Sequence, residues 1–314
     1  MRIGPSSRPV TRQDLKAEGE FVSDHSGDRA DLTRDLYGAD AVRPLPDQLL
    51  AESRLYGSSK AYKDLLEFVV RLRNFAPFNA MLLQVQKPGL RYAASAREWR
   101  RRFGGYTKGG AGPLLLPWPF GPVALVYDVQ DTEGDPIPED VSSFVSRGAF
   151  DYASMRDFRT LLKRKNIDLE WIDAGDQHAG QIRVMQRARH EQDWTTYRIH
   201  INRNHDAPVQ FTTLAHELGH LVLGHLGPDK RLSVPRRPAL SHAKQELEAE
   251  SVAYIVCQRH GVAPRSQTYL SKFVTADTAV EDLDVYQVTR AAGQVETMLG
   301  LSAHTQFDRP GGLR

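Results

Sequence analysis

The chain offers little sulfur chemistry. Its 314 residues include one cysteine, Cys257. No internal disulfide can form, and a zinc finger built on cysteines is excluded. One thiol in this length fits a reducing cytosol. Long apolar runs are missing too, since none approaches the ~20 residues that span a bilayer. Residues 1–10 carry arginines, but no apolar stretch follows them, which argues against a secretory signal. Neither sign of charge dominates: 41 basic and 39 acidic residues leave +2. Internal repeats and long low-complexity tracts are absent. The expectation is a cytoplasmic protein with no membrane partner.

Hydrophobic residues make up 40% of the chain and charged residues 25%, enough for most of it to fold around a core. The charge is unevenly spread. Residues 60–112 hold eleven basic and three acidic side chains, a balance of +8 that leaves −6 for the rest. Such asymmetry suggests a module with an anionic partner. Residues 1–45 are charged and poor in large apolar side chains, so they read as a mostly disordered tail.

Apolar spacing predicts helices over 47–74, 78–86 and 94–102, then strands over 114–116 and 123–129. The breaker cluster at 131–138 marks a domain boundary. Beyond it come a helix over 152–165 and strands over 169–172, 181–188 and 195–201. Asp206 and Pro208 then cap the start of a helix. Further helices are expected near 241–259 and 281–299. The fold class is α+β. A small basic N-terminal domain (46–135) precedes a domain of helices and a small mixed sheet (136–300), with a tail over 301–314.

The strongest signal is His216-Glu217-Leu218-Gly219-His220. Histidines four apart on a helix share a face and can grip one ion. Glu217 lies beside that face. A zinc ion acidifies water to a pKa near ~7, and a neighbouring carboxylate can take its proton during attack on a carbonyl. A catalytic zinc usually takes three protein ligands. Glu246 and Glu250 share one face of the next helix. Glu246 is assigned as the ligand and Glu250 as the acceptor that orients a ligating histidine, although helix geometry alone also permits the reverse. Glu248 points elsewhere, solvated or salt-bridged. His225 stands one position off the register HExxHxxGxxH and is expected to cap or pack at the helix end. Asp229 is a weaker ligand candidate. His242, Tyr254 and His260 are candidate oxyanion stabilisers, each with a plainer structural reading. Cys257 reads as a packed core thiol.

QFTTLAHELGHLVLGH followed by QELEAESVAYIVCQRHGV resembles the metallopeptidase domain of ImmA/IrrE-type proteins and of ArdC-type antirestriction proteins. In that pattern a helix of form E-x-x-A-[N/E] follows the HExxH helix and maps onto Glu246, Ala249 and Glu250. The resemblance implies a zincin-like domain with Glu246 as third ligand. Upstream, RNFAPFNAMLLQVQKPGLRYAASAREWRRRFGGYTKGGAGPLLLPWP is similar to the N-terminal domain of ArdC-type proteins, with Asn79, Gln86, Trp99 and Lys108 at matching positions. That implies single-stranded DNA binding. Cleavage of repressor-like regulatory proteins is what the ImmA/IrrE resemblance implies.

The basic segment supports the DNA reading on its own. Arg91, Arg97, Arg100, Arg101, Arg102 and Lys108 could neutralise phosphates. Trp99 and Phe78, at helical spacing with apolar neighbours, read as core. Tyr92, Phe103 and Tyr106 sit near turns and are the better stacking candidates. The combined expectation is a zinc metallopeptidase with His216, His220 and Glu246 as ligands and Glu217 as general base. Its protein substrate would be DNA-associated, and the basic domain would tether it. The alternative is a protective, antirestriction protein that binds single-stranded DNA and whose metal site is structural or residual.

Overall fold

The computed structural model describes residues 59–118, 121–134, 151–175, 178–190, 192–262 and 283–301. The expected tail over 1–45, residues 302–314 of the expected C-terminal tail, and residues 47–58 of the first expected helix lie outside them. The described residues belong to one compact unit that extends from Leu50 to Arg314.

Helix α1 (Ser59–Arg71) buries Tyr62, Leu65, Leu66, Val69 and, just past its end, Leu72, a stripe at helical spacing. Pro77 opens α2 (Pro77–Gln86), where its missing N–H costs nothing. Strand β1 (Ala93–Ala94) leads into α3 (Ala96–Phe103). The Ser95 hydroxyl accepts from the Glu98 N–H at 3.2 Å to start α3, and Gly104, at φ 58°, ends it.

Strand β2 (Tyr106–Thr107) pairs with β5 (Thr132–Glu133). Between them, β3 (Leu114–Trp118) and β4 (Gly121–Asp128) form an antiparallel pair, and β1 adds to β4 on its other side. Gly134 closes this part at φ 140°, where a Cβ would lie 2.6 Å from the Gly105 Cα.

Asp151 caps α4 (Tyr152–Lys163). Then come β6 (Ile167–Ile172), β7 (Gly180–Gln186) and β8 (Thr196–Asn202). Their order is β6-β8-β7, with β6 parallel and β7 antiparallel to the central β8. Tyr197, Ile199 and Ile201 alternate into the core from β8. Helix α5 (Ala207–Val222) starts where expected, with the Asp206 carboxylate accepting from the Val209 N–H at 3.0 Å. Ser241 caps α6 (His242–Arg259), and Asp284 caps α7 (Val285–Met298).

One hydrophobic cluster joins Leu65, Leu72 and Met81 to Phe211, Leu218, Val252 and Val288, so α1 and α2 share a core with α5, α6 and α7. A small satellite cluster holds Tyr92, Ala94, Trp99 and Phe103. The result is a mixed α+β protein of helices and small sheets. Among the described residues, no helix is long and apolar enough to cross a membrane.

Candidate metal centre

Helix α5 crosses α6 at a close approach. Gly219, between the two histidines, faces Ala249, between the two glutamates. A Cβ on Gly219 would stand 3.2 Å from the Ala249 carbonyl oxygen. That contact sets the side chains of one helix against those of the other.

His216, His220 and Glu246 come together there, each offering one ligand atom within 4.8 Å of the others. The Nε2 atoms of His216 and His220 are 3.0 Å apart. His220 Nε2 lies 3.3 Å from Glu246 Oε1, and His216 Nε2 lies 3.4 Å from Glu246 Oε2. Tetrahedral arms of the zinc–nitrogen length would place ligand atoms about 3.3 Å apart. Two imidazoles and a carboxylate on such a triangle could hold a metal ion.

Glu250 meets the other edge of the same ring: its Oε2 lies 3.0 Å from His216 Nδ1. It therefore orients His216, while Glu246 faces the nitrogens that converge. The Glu217 carboxylate is buried beside the two histidines, and the nearby Ile182 N–H of β7 favours its charged form. Burial pushes its pKa up, against the pull of His216 and His220. In the metal-free protein, burial alone would lower the His216 pKa. Its hydrogen bonds to Glu246 and Glu250 overcome this and raise it to about 10. Hydrogen bonds from His216 and His220 hold the Glu246 carboxyl well below the usual carboxylate range.

The remaining candidates separate clearly. His242 stands at the mouth of the centre, exposed, with Nδ1 3.6 Å from Glu246 Oε1. Tyr254 is buried with Glu67 as its neighbouring charge, and His260 pairs with Glu296 at the far end of α6. Asp229 is no ligand. It accepts from the Tyr197 hydroxyl at 2.8 Å and from the Arg231 and Leu232 N–H groups, which shapes a tight loop. Burial pushes the Cys257 thiol up to about 12, and the thiol points at Thr212 Oγ1. Glu248 is not solvated: it is buried and paired with Arg237. His225 lies against His220, not merely at a helix end.

In the basic segment, two stacking candidates are corrected. Tyr92 is only 2% exposed and packs edge-on against Trp99 and Phe103, which is itself buried. Their rings hold α3 onto β1 and β4 and are not presented to a base. Tyr106 is 60% exposed, with the Arg100 guanidinium 5.6 Å from its ring centre. Arg91, Arg97, Arg101 and Arg102 are exposed. Lys108 Nζ donates to the Gln130 carbonyl at 2.8 Å, so its ammonium is anchored beside β5.

Residues 164–259, from the end of α4 through α6, match the family model described as the IrrE N-terminal-like domain, peptidase M78. No curated protein matches the chain. Two solved structures of the antirestriction ArdC protein from the R388 plasmid are similar to it. The metal-free structure is 17% identical and has a TM-score of 0.40. The Mn(II)-bound structure is 18% identical and has a TM-score of 0.42. Each comparison covers 82% of this chain and 96% of the other.

Proposed function

We propose that the protein is a zinc-dependent peptidase whose basic N-terminal region holds it on nucleic acid, so that its substrate is a DNA-associated protein. The observation that carries this reading is the convergence of His216, His220 and Glu246 with a buried carboxylate, Glu217, beside them. The peptidase-family match over 164–259 supports it. When bound, zinc polarises a carbonyl and lowers the pKa of water to about 7.

The rest of the chemistry falls to the chain's own residues. Glu217 Oε accepts the proton of the attacking water and passes it to the leaving amine nitrogen. Its burial raises its pKa toward the range in which one group can do both. Glu250 accepts a hydrogen bond from His216 Nδ1–H, which holds the tautomer that leaves the Nε2 lone pair free to ligate.

A second reading is favoured by the exposed arginines of α3 and by Tyr106. Here the protein binds single-stranded DNA and protects it, and the metal centre is structural or residual. The names of the two solved structures agree with this second reading rather than the first.

One experiment separates them. Zinc-loaded wild type and Glu217→Gln are incubated with a generic protein substrate, with and without single-stranded DNA. The peptidase reading expects Glu217→Gln to keep its zinc and to lose cleavage by about 10²–10⁴-fold. Cleavage that survives Glu217→Gln overturns the mechanism. DNA protection that survives Glu217→Gln but not charge reversal at Arg100, Arg101 and Arg102 establishes the second reading.

A further inference from the structure

A second row of polar groups runs inward from His220, away from the three converging ligand atoms. His220 Nδ1 is 2.9 Å from His225 Nδ1. His225 Nε2 is 3.0 Å from Glu248 Oε2. Arg237 Nη2 donates to Glu248 Oε1 at 2.9 Å and lies 4.0 Å from Asp284 at the start of α7. The side chains of His225, Glu248 and Arg237 are 3%, 1% and 9% exposed. Water is not available to satisfy these groups, so they must satisfy one another.

The local fold is built to place His225 there. Gly224, at φ 81°, breaks α5, and a Cβ on it would lie 2.6 Å from the Pro235 carbonyl oxygen. The chain doubles back, and the His225 N–H donates to the His220 carbonyl at 3.1 Å. This is a helix-end motif that depends on a left-handed residue. It brings the His225 ring edge-on to the Nδ1 side of His220, with the two ring planes inclined at 65°.

Such a chain has one self-consistent proton order for a ligating His220. The Glu248 carboxylate, held by Arg237, only accepts. His225 Nε2 therefore carries a proton. In a neutral ring Nδ1 is then bare and accepts from His220 Nδ1–H. The lone pair of His220 is left on Nε2, the nitrogen that faces His216 and Glu246. We infer that His225 is a positioning residue that locks His220 in its metal-binding tautomer, with Glu248 and Arg237 locking His225 in turn. The inference rests on the metal-centre reading. It also makes the two histidine ligands unequal, because His216 leans on a carboxylate and His220 on a neutral imidazole.

The test uses the full chain and zinc alone, in competition with a chromophoric chelator. His225→Leu keeps the volume and removes the acceptor. It is expected to weaken zinc binding by about 10- to 100-fold with an unchanged far-ultraviolet circular dichroism spectrum. His225→Asn, whose Oδ1 can accept from His220 Nδ1, is expected to recover much of that loss. In zinc-loaded wild type, long-range proton–nitrogen correlation spectra should show the His225 proton on Nε2. This last measurement decides the matter even where the leucine variant fails to fold. Wild-type affinity in a folded His225→Leu, or the His225 proton on Nδ1, overturns the inference while leaving the metal centre intact. Zinc uptake that His216→Ala does not reduce overturns the metal-centre reading, and this inference with it.

Discussion

The α-carbon of Gly219 faces the backbone of Ala249 so closely that one added methyl group would press on the Ala249 carbonyl oxygen at 3.2 Å and its Cα at 3.4 Å. The histidines flank one residue and the glutamates flank the other, so the metal centre is set by a backbone-to-backbone contact. Gly219→Ala sets two effects against each other. Alanine gains about 1 kcal/mol of helix propensity over glycine. Overpacking against backbone, which cannot swing aside, costs about 1–3 kcal/mol. Unfolding by urea should therefore show a net loss of about 0–2 kcal/mol. Zinc affinity should fall more than that stability change suggests, because the two halves of the ligand set move apart. An alanine variant with wild-type zinc affinity would show that the contact does not set the centre.

Arg259 ties the helix that carries Glu246 to the N-terminal helices. Its guanidinium is buried, donates to the Val69 and Phe75 carbonyls at 2.9 and 2.8 Å, and pairs with Glu296 of α7 at 2.6 Å. Arg259→Met leaves Glu296 buried against His260 at 3.2 Å, with Arg73 as a more distant charge, and removes the guanidinium from the carbonyls at the end of α1. Losing one partner of a buried pair costs about 3–5 kcal/mol, and His260 places this case at the lower end. The double variant Arg259→Met with Glu296→Leu should lose less than the two single losses added, read by urea unfolding of all four proteins. Additive losses would mean that the pair is not coupled.

What was legible in the chain follows from how local each signal is. The spacing of His216 and His220 needs only a helix, and Asp206 with Pro208 announces where that helix begins. Glu246 needed two helices docked in register, which periodicity does not report. The small pairing of Gly219 with Ala249 is the part of the pattern that makes it possible. The His225 chain was hidden because Gly224 reverses the backbone, and a left-handed residue removes helical spacing as a guide. Glu248 lies off the Glu246–Glu250 face, and spacing cannot tell a wet face from one covered by the loop that carries Arg237.

In the basic segment, Gln86 and Trp99 matched a family pattern, yet both hold the fold. Gln86 exchanges two 2.8 Å hydrogen bonds with the Leu115 backbone, and the Trp99 indole donates to the Tyr127 carbonyl. Tyr92 sits beside a turn, a place where rings are often exposed. An eight-residue helix such as α3 still needs a core, and Tyr92 supplies part of it.

Zinc uptake should depend steeply on pH. In the metal-free protein the His216 pKa is raised from 6.5 to about 10, so its ring holds a proton across the neutral range. A ligating imidazole must be neutral, so zinc displaces that proton. Affinity should rise about tenfold per pH unit up to pH ~10, with about one proton released per zinc near neutrality. The stability of the metal-free protein runs the other way. A pKa raised on folding stabilises fully below the unfolded value near 6.5 and ceases to do so as pH passes through 10. Chelator competition between pH 7 and 9, with calorimetry in buffers of different ionisation enthalpy, measures both slope and proton count. A flat affinity over that range would mean that His216 is not protonated in the metal-free state.

The exposed face of α3 should account for any salt dependence of DNA binding. Arg100, Arg101 and Arg102 occupy its last turn, where the helix dipole favours cations, and Tyr106 follows with its ring in solvent under Arg100. Each phosphate contact contributes about 0.7 to the slope of log K against log salt for a single strand. Replacing all three arginines by glutamine should therefore lower the slope by about 2 and weaken binding alike for all sequences. Tyr106→Ala should weaken it by about tenfold without changing the slope, because stacking releases no counterions. Tyr92→Ala removes a buried ring, so its loss should appear in thermal unfolding before it appears in DNA affinity. Fluorescence anisotropy of a labelled oligonucleotide across a salt series reads all three. A slope untouched by the arginine replacements would mean that the charge of this segment is a solvated face and that any DNA contact lies elsewhere on the molecule.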